Sequence, residues 1–130
     1  MSDYSEQLEG ISTRGIPFND LYPDTRPTSA SSPGLTNSCQ ALAGPGRLVG
    51  FSVYSNNNSA QFIQVFDATT LPADGAVPVA TFTVASKSNL GVYYGPPGRW
   101  FNAGVWVCNS TTAASKTIGA ADSFFDVQVL

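Results

Sequence analysis

Apolar and polar residues alternate with a period of two along most of the chain after residue 37. In residues 48–55, Val49, Phe51 and Val53 would lie on one side of an extended backbone. A two-residue period is typical of strands that bury one face. No segment shows a sustained apolar period of 3.6 residues, so the pattern predicts a protein built from strands.

Turn residues divide this pattern into short segments. Strands are predicted at residues 38–43, 48–55, 60–66, 77–85, 90–94, 101–109 and 123–130, with an eighth around residues 116–119 left open. The asparagines of residues 56–59 form a turn, because asparagine accepts a left-handed backbone and bonds its own main chain. This turn predicts that the strands on either side of it pair as a hairpin.

The number and spacing of the strands predict an all-β fold, an antiparallel β-sandwich of seven or eight strands. Both a jelly-roll and a Greek-key arrangement fit. The charged fraction is 12%, about half the usual share, and small polar residues that favour strands and turns replace the missing charges. A Gly-Pro-Gly-Arg motif at residues 44–47 is echoed at residues 95–99, which fits either two related halves or repeated turn chemistry.

Residues 1–33 differ in composition from the rest and are predicted to form an extended N-terminal arm, followed by the sandwich at residues 34–130. The arm carries a net charge of −3, and residues 27–33 have the composition of a linker. Spaced apolar residues would let the arm dock on a neighbouring subunit, whereas a frayed terminus is the alternative. The candidate partner-binding residues of the arm are Ile11, Ile16, Phe18, Leu21 and Tyr22.

The sequence lacks the side chains of most catalytic and metal sites. It has no histidine, which removes the commonest general base and metal ligand. Both glutamates fall in the arm, and four scattered aspartates remain in residues 34–130. The glycine-rich turns lack the lysine and helix of a phosphate-binding loop. We therefore expect no enzyme activity, no cofactor and no metal site.

Charge and hydropathy argue against two further classes of partner. The basic residues of the sandwich are scattered along a chain whose net charge is −3, whereas nucleic-acid binding needs a clustered basic stripe. No apolar run approaches the length of a membrane span. We therefore expect the protein to bind neither nucleic acid nor a membrane.

Cys39 and Cys108 are the only cysteines, and each lies in a stretch that is predicted as strand. Two free buried thiols are the simpler interpretation, because cysteine often behaves as a small apolar core residue. A disulfide between them stays open at this point, since the sequence cannot say whether the two strands come within bonding distance.

Aromatic residues concentrate in the second half of the chain, close to arginines. Exposed tyrosine and tryptophan rings can stack on sugars, and aromatic residues with arginine are also enriched at protein interfaces. Packing in the core or at its rim is the alternative. The candidate partner- or glycan-binding residues of the sandwich are Arg47, Tyr93, Tyr94, Arg99 and Trp100.

The chain from residue 42 to residue 130 resembles small bacteriophage virion proteins. The motifs that carry the resemblance are AGPGRL at residues 43–48, residues 61–67, Leu71-Pro72 with Gly75, GPPGR at residues 95–99 and the loop at residues 110–112. The pattern is one of turns and strands rather than a catalytic signature. It covers about two-thirds of the chain and leaves out the arm.

The resemblance implies a capsid decoration (cement) protein that stabilises the head by bridging neighbouring shell subunits. A tail- or fibre-associated module that binds a receptor or glycan is the alternative. The expected partners are the major capsid protein or another virion protein, together with further copies of the same chain, with a trimer favoured. The expected location is the capsid surface, after synthesis in the host cytoplasm.

Overall fold

A computed structural model describes residues 26–130 of the chain. The predicted arm residues Ile11, Ile16, Phe18, Leu21 and Tyr22 lie outside the described residues. Nine strands make up the regular structure of the described part, and it contains no helix. The strands are β1 Thr28–Ser31, β2 Ser38–Leu42, β3 Gly46–Ser55, β4 Gln61–Asp67, β5 Ala80–Val84, β6 Ser88–Tyr93, β7 Arg99–Phe101, β8 Val105–Ser110 and β9 Ser123–Val129.

Two antiparallel sheets pack face to face, which confirms the prediction of an all-β sandwich. Sheet 1 has the order β1-β9-β3-β6, with β7 also paired to β3, and sheet 2 has the order β2-β8-β4-β5. The strand count of seven or eight was wrong by at least one. Residues 101–109 contain parts of β7 and β8 instead of one strand, and β1 was not predicted.

The first strand lies inside the segment predicted as a linker. Thr28–Ser31 pairs antiparallel with β9, with Thr28 opposite Val129 and Ser31 opposite Asp126. Pro27 and Pro33 flank this strand and do not interrupt it, so neither proline removes a hydrogen bond from the ladder. The predicted boundary between residues 33 and 34 is therefore wrong, because the sandwich already includes β1.

The hairpin predicted across residues 56–59 is also wrong. β3 belongs to sheet 1 and β4 to sheet 2, so the asparagine turn carries the chain from one sheet to the other. Turn chemistry looks the same in the sequence whether the next strand pairs with the last one or crosses over. Pairing partners are set by long-range packing, which a local pattern does not contain.

A β-bulge changes which side chains of β3 enter the core. The register against β9 shifts between Leu48 and Gly50. As a result Leu48, Phe51 and Val53 join the core cluster, whereas Val49 is buried outside it. The prediction that Val49, Phe51 and Val53 share one face is therefore correct for the last two only.

The core fills the space between the inner faces of the two sheets. Phe51 of sheet 1 meets Phe82 of sheet 2 edge to face, with 5.8 Å between ring centroids. Phe101 and Phe125 are completely buried. Burial of such side chains supplies most of the driving force for folding. The other core residues include Leu48, Val53, Ile63, Val65, Val84, Val105, Val107, Val127 and Val129.

The two cysteines are free thiols on opposite faces of sheet 2. Cys39 lies opposite Val107 and packs in the core, while Cys108 lies opposite Ser38 in the next row. Side chains in neighbouring rows of a sheet point to opposite faces, so the two thiols cannot come within bonding distance. Burial raises the pKa of Cys39, with a smaller contribution from the charge of Asp126. Burial also raises the pKa of Cys108 to about 12, although the nearby charge of Lys116 opposes it.

We expect the folded protein to react very slowly with a thiol reagent such as Ellman's reagent at pH 8. Both thiols are buried and protonated there, and the thiolate is the reactive form. In denaturant, both cysteines should react at once. Rapid reaction of either thiol in the native protein would contradict the burial described above.

Candidate binding face

The outer side of sheet 2 is covered by the chain that follows β8. Gln64 of β4 points outward but is completely buried. Its side-chain nitrogen donates toward the carbonyl oxygens of Thr112, Ala113 and Ser115, at 2.8, 3.1 and 3.2 Å. This amide therefore fastens residues 112–115 over the row that Gln64 shares with the outward-pointing Cys108, and both side chains are completely buried.

We call residues 112–115 the cover of sheet 2. Lys116, which follows the cover, links it to the loop that precedes β5. Its side chain is buried, and its ammonium group donates to the Pro72 carbonyl oxygen at 2.8 Å. The Asp74 carboxylate lies 3.7 Å away and also accepts from the Ile118 backbone N–H. A buried ammonium ion needs such partners to offset its desolvation. This part of the outer side of sheet 2 is therefore closed to a ligand.

The outer side of sheet 1 is open. Along β9 and β3, Phe125, Val127 and Val53 point into the core, so the residues between them point outward. We call this surface the open face. Its main residues are Ser52, Tyr54, Gly91, Tyr93, Phe124, Asp126 and Gln128, with Arg47 and Trp100 at one end.

Arg47 and Trp100 form a cross-strand pair at this end of the open face. The guanidinium carbon of Arg47 lies 5.5 Å from the centre of the Trp100 ring, within the range of a cation–π contact. The indole N–H donates to the Asn102 side-chain oxygen at 2.6 Å. Trp100 is 53% exposed yet held on two sides, which fixes its ring as a surface platform.

Asp67 supports this platform from the end of β4. Its carboxylate accepts backbone N–H groups of Asn102, Ala103 and Gly104 at 3.1, 2.8 and 3.3 Å. Desolvation by itself would raise the pKa of this carboxyl. The three backbone hydrogen bonds, with the charge of Arg99, outweigh it and lower the pKa. The carboxylate thus fixes the turn after β7, and with it the position of Asn102.

We expect Asp67→Asn to lower the free energy of unfolding by about 1 kcal/mol at pH 7. Because the folded pKa is lowered, the contribution of this carboxylate is present above its ordinary value of 3.8 and is lost as the pH falls through the folded pKa. The difference between the wild type and the variant should therefore shrink in acid. Denaturant titrations at several pH values measure it, and a difference that stayed constant from pH 7 to pH 2 would contradict this role.

Tyr93 ends β6 next to the platform, and Tyr94 follows it. Tyr93 lies opposite Gly50 and is 77% exposed, while Tyr94 begins the turn into β7 and is 38% exposed. The Val49 carbonyl oxygen accepts the N–H groups of Tyr94 and Gly95. Gly98 closes this turn with a φ of 91°, and a Cβ there would lie 2.8 Å from the Leu48 carbonyl oxygen, so only glycine fits.

Four of the five predicted sandwich residues meet at this end of sheet 1, and three of them lie on the open face. Arg47, Tyr93 and Trp100 share that face, and Tyr94 lies on the adjoining turn. Arg99 is one residue out of phase with Trp100. It lies opposite Leu48, and its guanidinium lies 5.6 Å from the centre of the buried Phe101 ring. Arg99 is therefore directed away from the open face.

Sequence reasoning missed the opposite end of the open face. There Tyr54 and Phe124 are cross-strand partners, and both are partly exposed. The signal was present in the sequence, since each residue alternates with a core residue of its strand. It was passed over because a half-exposed aromatic residue beside a core strand has no chemical signature of its own.

No family model matches the chain, and neither a curated protein nor a solved structure matches it. Within residues 26–130, no three histidine, cysteine or acidic residues come together as a metal site. The same residues include no helix that could cross a membrane.

Proposed function

We propose that this protein is a non-enzymatic structural component of a bacteriophage particle, a decoration (cement) protein that stabilises the head by bridging neighbouring shell subunits. The observation that carries the proposal is the strand order. Setting aside β7, the strands pair as nested partners: β1 with β9, β2 with β8, β3 with β6 and β4 with β5. This nesting supports a jelly roll, an eight-stranded double-sheet arrangement that is found in viral capsid and lectin domains.

The resemblance of residues 42–130 to virion proteins is the second support. It is independent of the strand order, since it rests on turn motifs in the sequence. A fold alone hosts many functions, so the two supports are needed together. Both favour a particle component, and neither points to a reaction.

The described aspartates support a structural role over a catalytic one. Asp67 and Asp74 accept backbone N–H groups of the turns that they stabilise. Asp122 accepts hydrogen bonds from the side chains of Asn57 and Asn109. These three carboxylates already serve the fold, and the sequence offers no histidine to act beside them.

In this proposal the residues before β1 anchor the sandwich to the shell. β1 is an edge strand of sheet 1, so a segment that precedes it could be anchored to a partner without disturbing the core. The proposed partners are the major capsid protein or another virion protein. A symmetric homo-oligomer, with a trimer favoured, would place several arms around one axis and raise the effective concentration of each.

The experiment is to add purified protein to particles that lack it and to measure sedimentation with them. We expect the full chain to bind and a variant without residues 1–25, which retains β1, to stay folded but bind at least about tenfold more weakly. A variant without residues 1–33 is the wrong test, since it also removes β1 from β9. Equal binding by the full chain and the shorter variant would reject the anchoring role.

A tail- or fibre-associated module that binds a receptor or glycan remains the second candidate. The exposed Tyr93 and Trp100 on the open face favour it, because aromatic platforms serve binding rather than stability when solvent reaches them. Copy number separates the two, since decoration proteins cover a shell and tail proteins do not.

A further inference from the structure

The open face has aromatic rings at both ends. Tyr93 and Trp100 stand at one end, and the cross-strand pair Tyr54 and Phe124 stands at the other. All four are at least 37% exposed. From the row of Trp100 to the row of Tyr54, β3 advances by seven residues, which corresponds to roughly 23 Å along the strand. The surface between the ends is therefore long enough for several sugar rings in a row.

Small residues line the middle of this surface and make it a trough. Ser52 and Gly91 lie opposite each other at outward positions of β3 and β6 between the aromatic ends, while Gly50 is buried opposite Tyr93. Gly50 is required by the fold, since a Cβ there would lie 2.6 Å from the Val92 carbonyl oxygen. Gly91 is not required, because a Cβ there would meet no atom within 4 Å and its φ is not positive.

The fold therefore does not explain why this position of β6 is a glycine. A glycine inside a strand weakens the strand, and it commonly marks a place where a ligand or another backbone approaches closely. Here the space above Gly91 is open to solvent and lies midway between the two aromatic ends. A side chain at this position would block the trough without touching the core.

A polar network forms one long side of the trough. Gln128 donates to the Ser29 hydroxyl at 2.8 Å and to the Asp126 carboxylate at 3.2 Å, and the Ser31 hydroxyl donates to the same carboxylate. These groups are fixed by one another and retain free lone pairs at the surface. They suit a ligand that offers hydroxyl groups along its length.

Arg47 adds a positive charge at the Trp100 end. No carboxylate of residues 26–130 lies within 4 Å of its guanidinium, and the ring of Trp100 holds it in place. A guanidinium presents paired N–H groups that match a carboxylate. A ligand that matches this surface would combine flat apolar ring faces, hydroxyl groups and a carboxylate.

We propose that the open face binds an acidic polysaccharide, a chain of pyranose rings of which some carry carboxylates. Sugar rings stack on Trp100 and Tyr93, a ring passes over Gly91, and a carboxylate pairs with Arg47. This inference goes beyond the proposed decoration role and does not depend on it. Binding is tested on the isolated protein, so a failure here leaves the particle assignment untouched, and the reverse also holds.

The test is electrophoresis of the full chain in native gels that contain polygalacturonate, alginate or hyaluronate, with neutral dextran as reference. We expect at least one acidic polymer to retard the protein, and dextran to retard it much less. Trp100→Ala should weaken the binding about tenfold or more. Gly91→Thr should abolish the retardation without lowering the midpoint of thermal unfolding, since threonine suits a strand better than glycine does.

Two control variants separate the trough from general surface effects. Val77→Ala removes an apolar side chain that is 76% exposed outside sheet 1, and Arg99→Gln removes a cation that is directed away from the open face. Both should bind as the wild type does, whereas Arg47→Gln should lose the preference for acidic polymers.

Three results would overturn the proposal. The first is that none of the three acidic polymers retards the protein. The second is that Arg99→Gln weakens the binding as much as Arg47→Gln does, which would indicate unspecific charge attraction. The third is that Gly91→Thr still binds as the wild type does, or changes only the size of an oligomer, which would make the open face a contact between copies of the chain.

Discussion

Phe125→Ala is expected to lower the free energy of unfolding by about 3–5 kcal/mol. Phe125 lies in the middle of β9, the strand that joins β1 to β3, and no part of its side chain reaches solvent. Truncation removes a large apolar group and leaves a cavity between two sheets that cannot close around it. Urea or thermal unfolding followed by circular dichroism measures the loss.

Phe124→Ala is the matched control for this prediction. Phe124 precedes Phe125 in the same strand but faces outward and is 40% exposed. Its truncation should cost less than about 1 kcal/mol, as is usual for surface positions. If the two variants lost similar stability, the assignment of inner and outer faces in sheet 1 would be wrong.

Gln64→Ala is expected to lower the free energy of unfolding by about 2–4 kcal/mol. The change removes the donor that faces the carbonyl oxygens of Thr112, Ala113 and Ser115 beneath the cover of sheet 2. The Thr112 and Ser115 carbonyl oxygens keep a hydroxyl donor, from Ser110 and Thr112 respectively. The cost therefore comes from the hydrogen bonds that Gln64 no longer makes and from the cavity that its completely buried side chain leaves. The cover should then open locally before the sandwich unfolds.

Opening of the cover has a chemical readout in Cys108, which lies beside Gln64 in the neighbouring strand. In Gln64→Ala, Cys108 should react with a thiol reagent many times faster than in the wild type, while the core residue Cys39 stays protected. Gln40→Ala serves as control, because Gln40 makes a single hydrogen bond, to the Thr69 carbonyl oxygen, at an exposed site. Equal reactivity of Cys108 in both variants would show that Gln64 does not hold the cover.

Most strands, and the side of the sheet to which most of their residues point, could be predicted from the sequence. A strand that buries one face alternates apolar and polar residues with a period of two. In β9 the alternation of Phe125 and Val127 with Phe124 and Asp126 matches the structure residue by residue. In β3 the same reasoning fails at Val49, since a bulge inserts one extra residue and reverses the phase. A bulge leaves no mark in a hydrophobic pattern.

The pairing of strands could not be predicted. β1 is a strand of small polar residues, and it becomes a strand only because β9 offers an edge to it. The turn after β3 crosses to sheet 2 because β9 and β6 already flank β3 in sheet 1. Both facts depend on residues far apart in the chain, which local propensity does not contain.

The candidate site was predicted in part. Arg47, Tyr93 and Trp100 were selected for their chemistry, and the turn at Gly98 brings the last of them beside the first. Arg99 was selected in the same way but points elsewhere, because neighbouring residues in a strand face opposite sides. Gly91 could not be singled out, since a glycine becomes informative only when the space around it is known.

The most direct test of the proposed role is quantitative mass spectrometry of purified virus particles, which gives the ratio of this chain to the major shell protein. A decoration protein should appear in equal amount to the shell protein or in a simple fraction of it, as symmetry requires. A few copies per particle would favour the tail or fibre alternative. Absence of the chain from the particles would contradict the assignment to a virion and leave the β-sandwich without the function proposed for it.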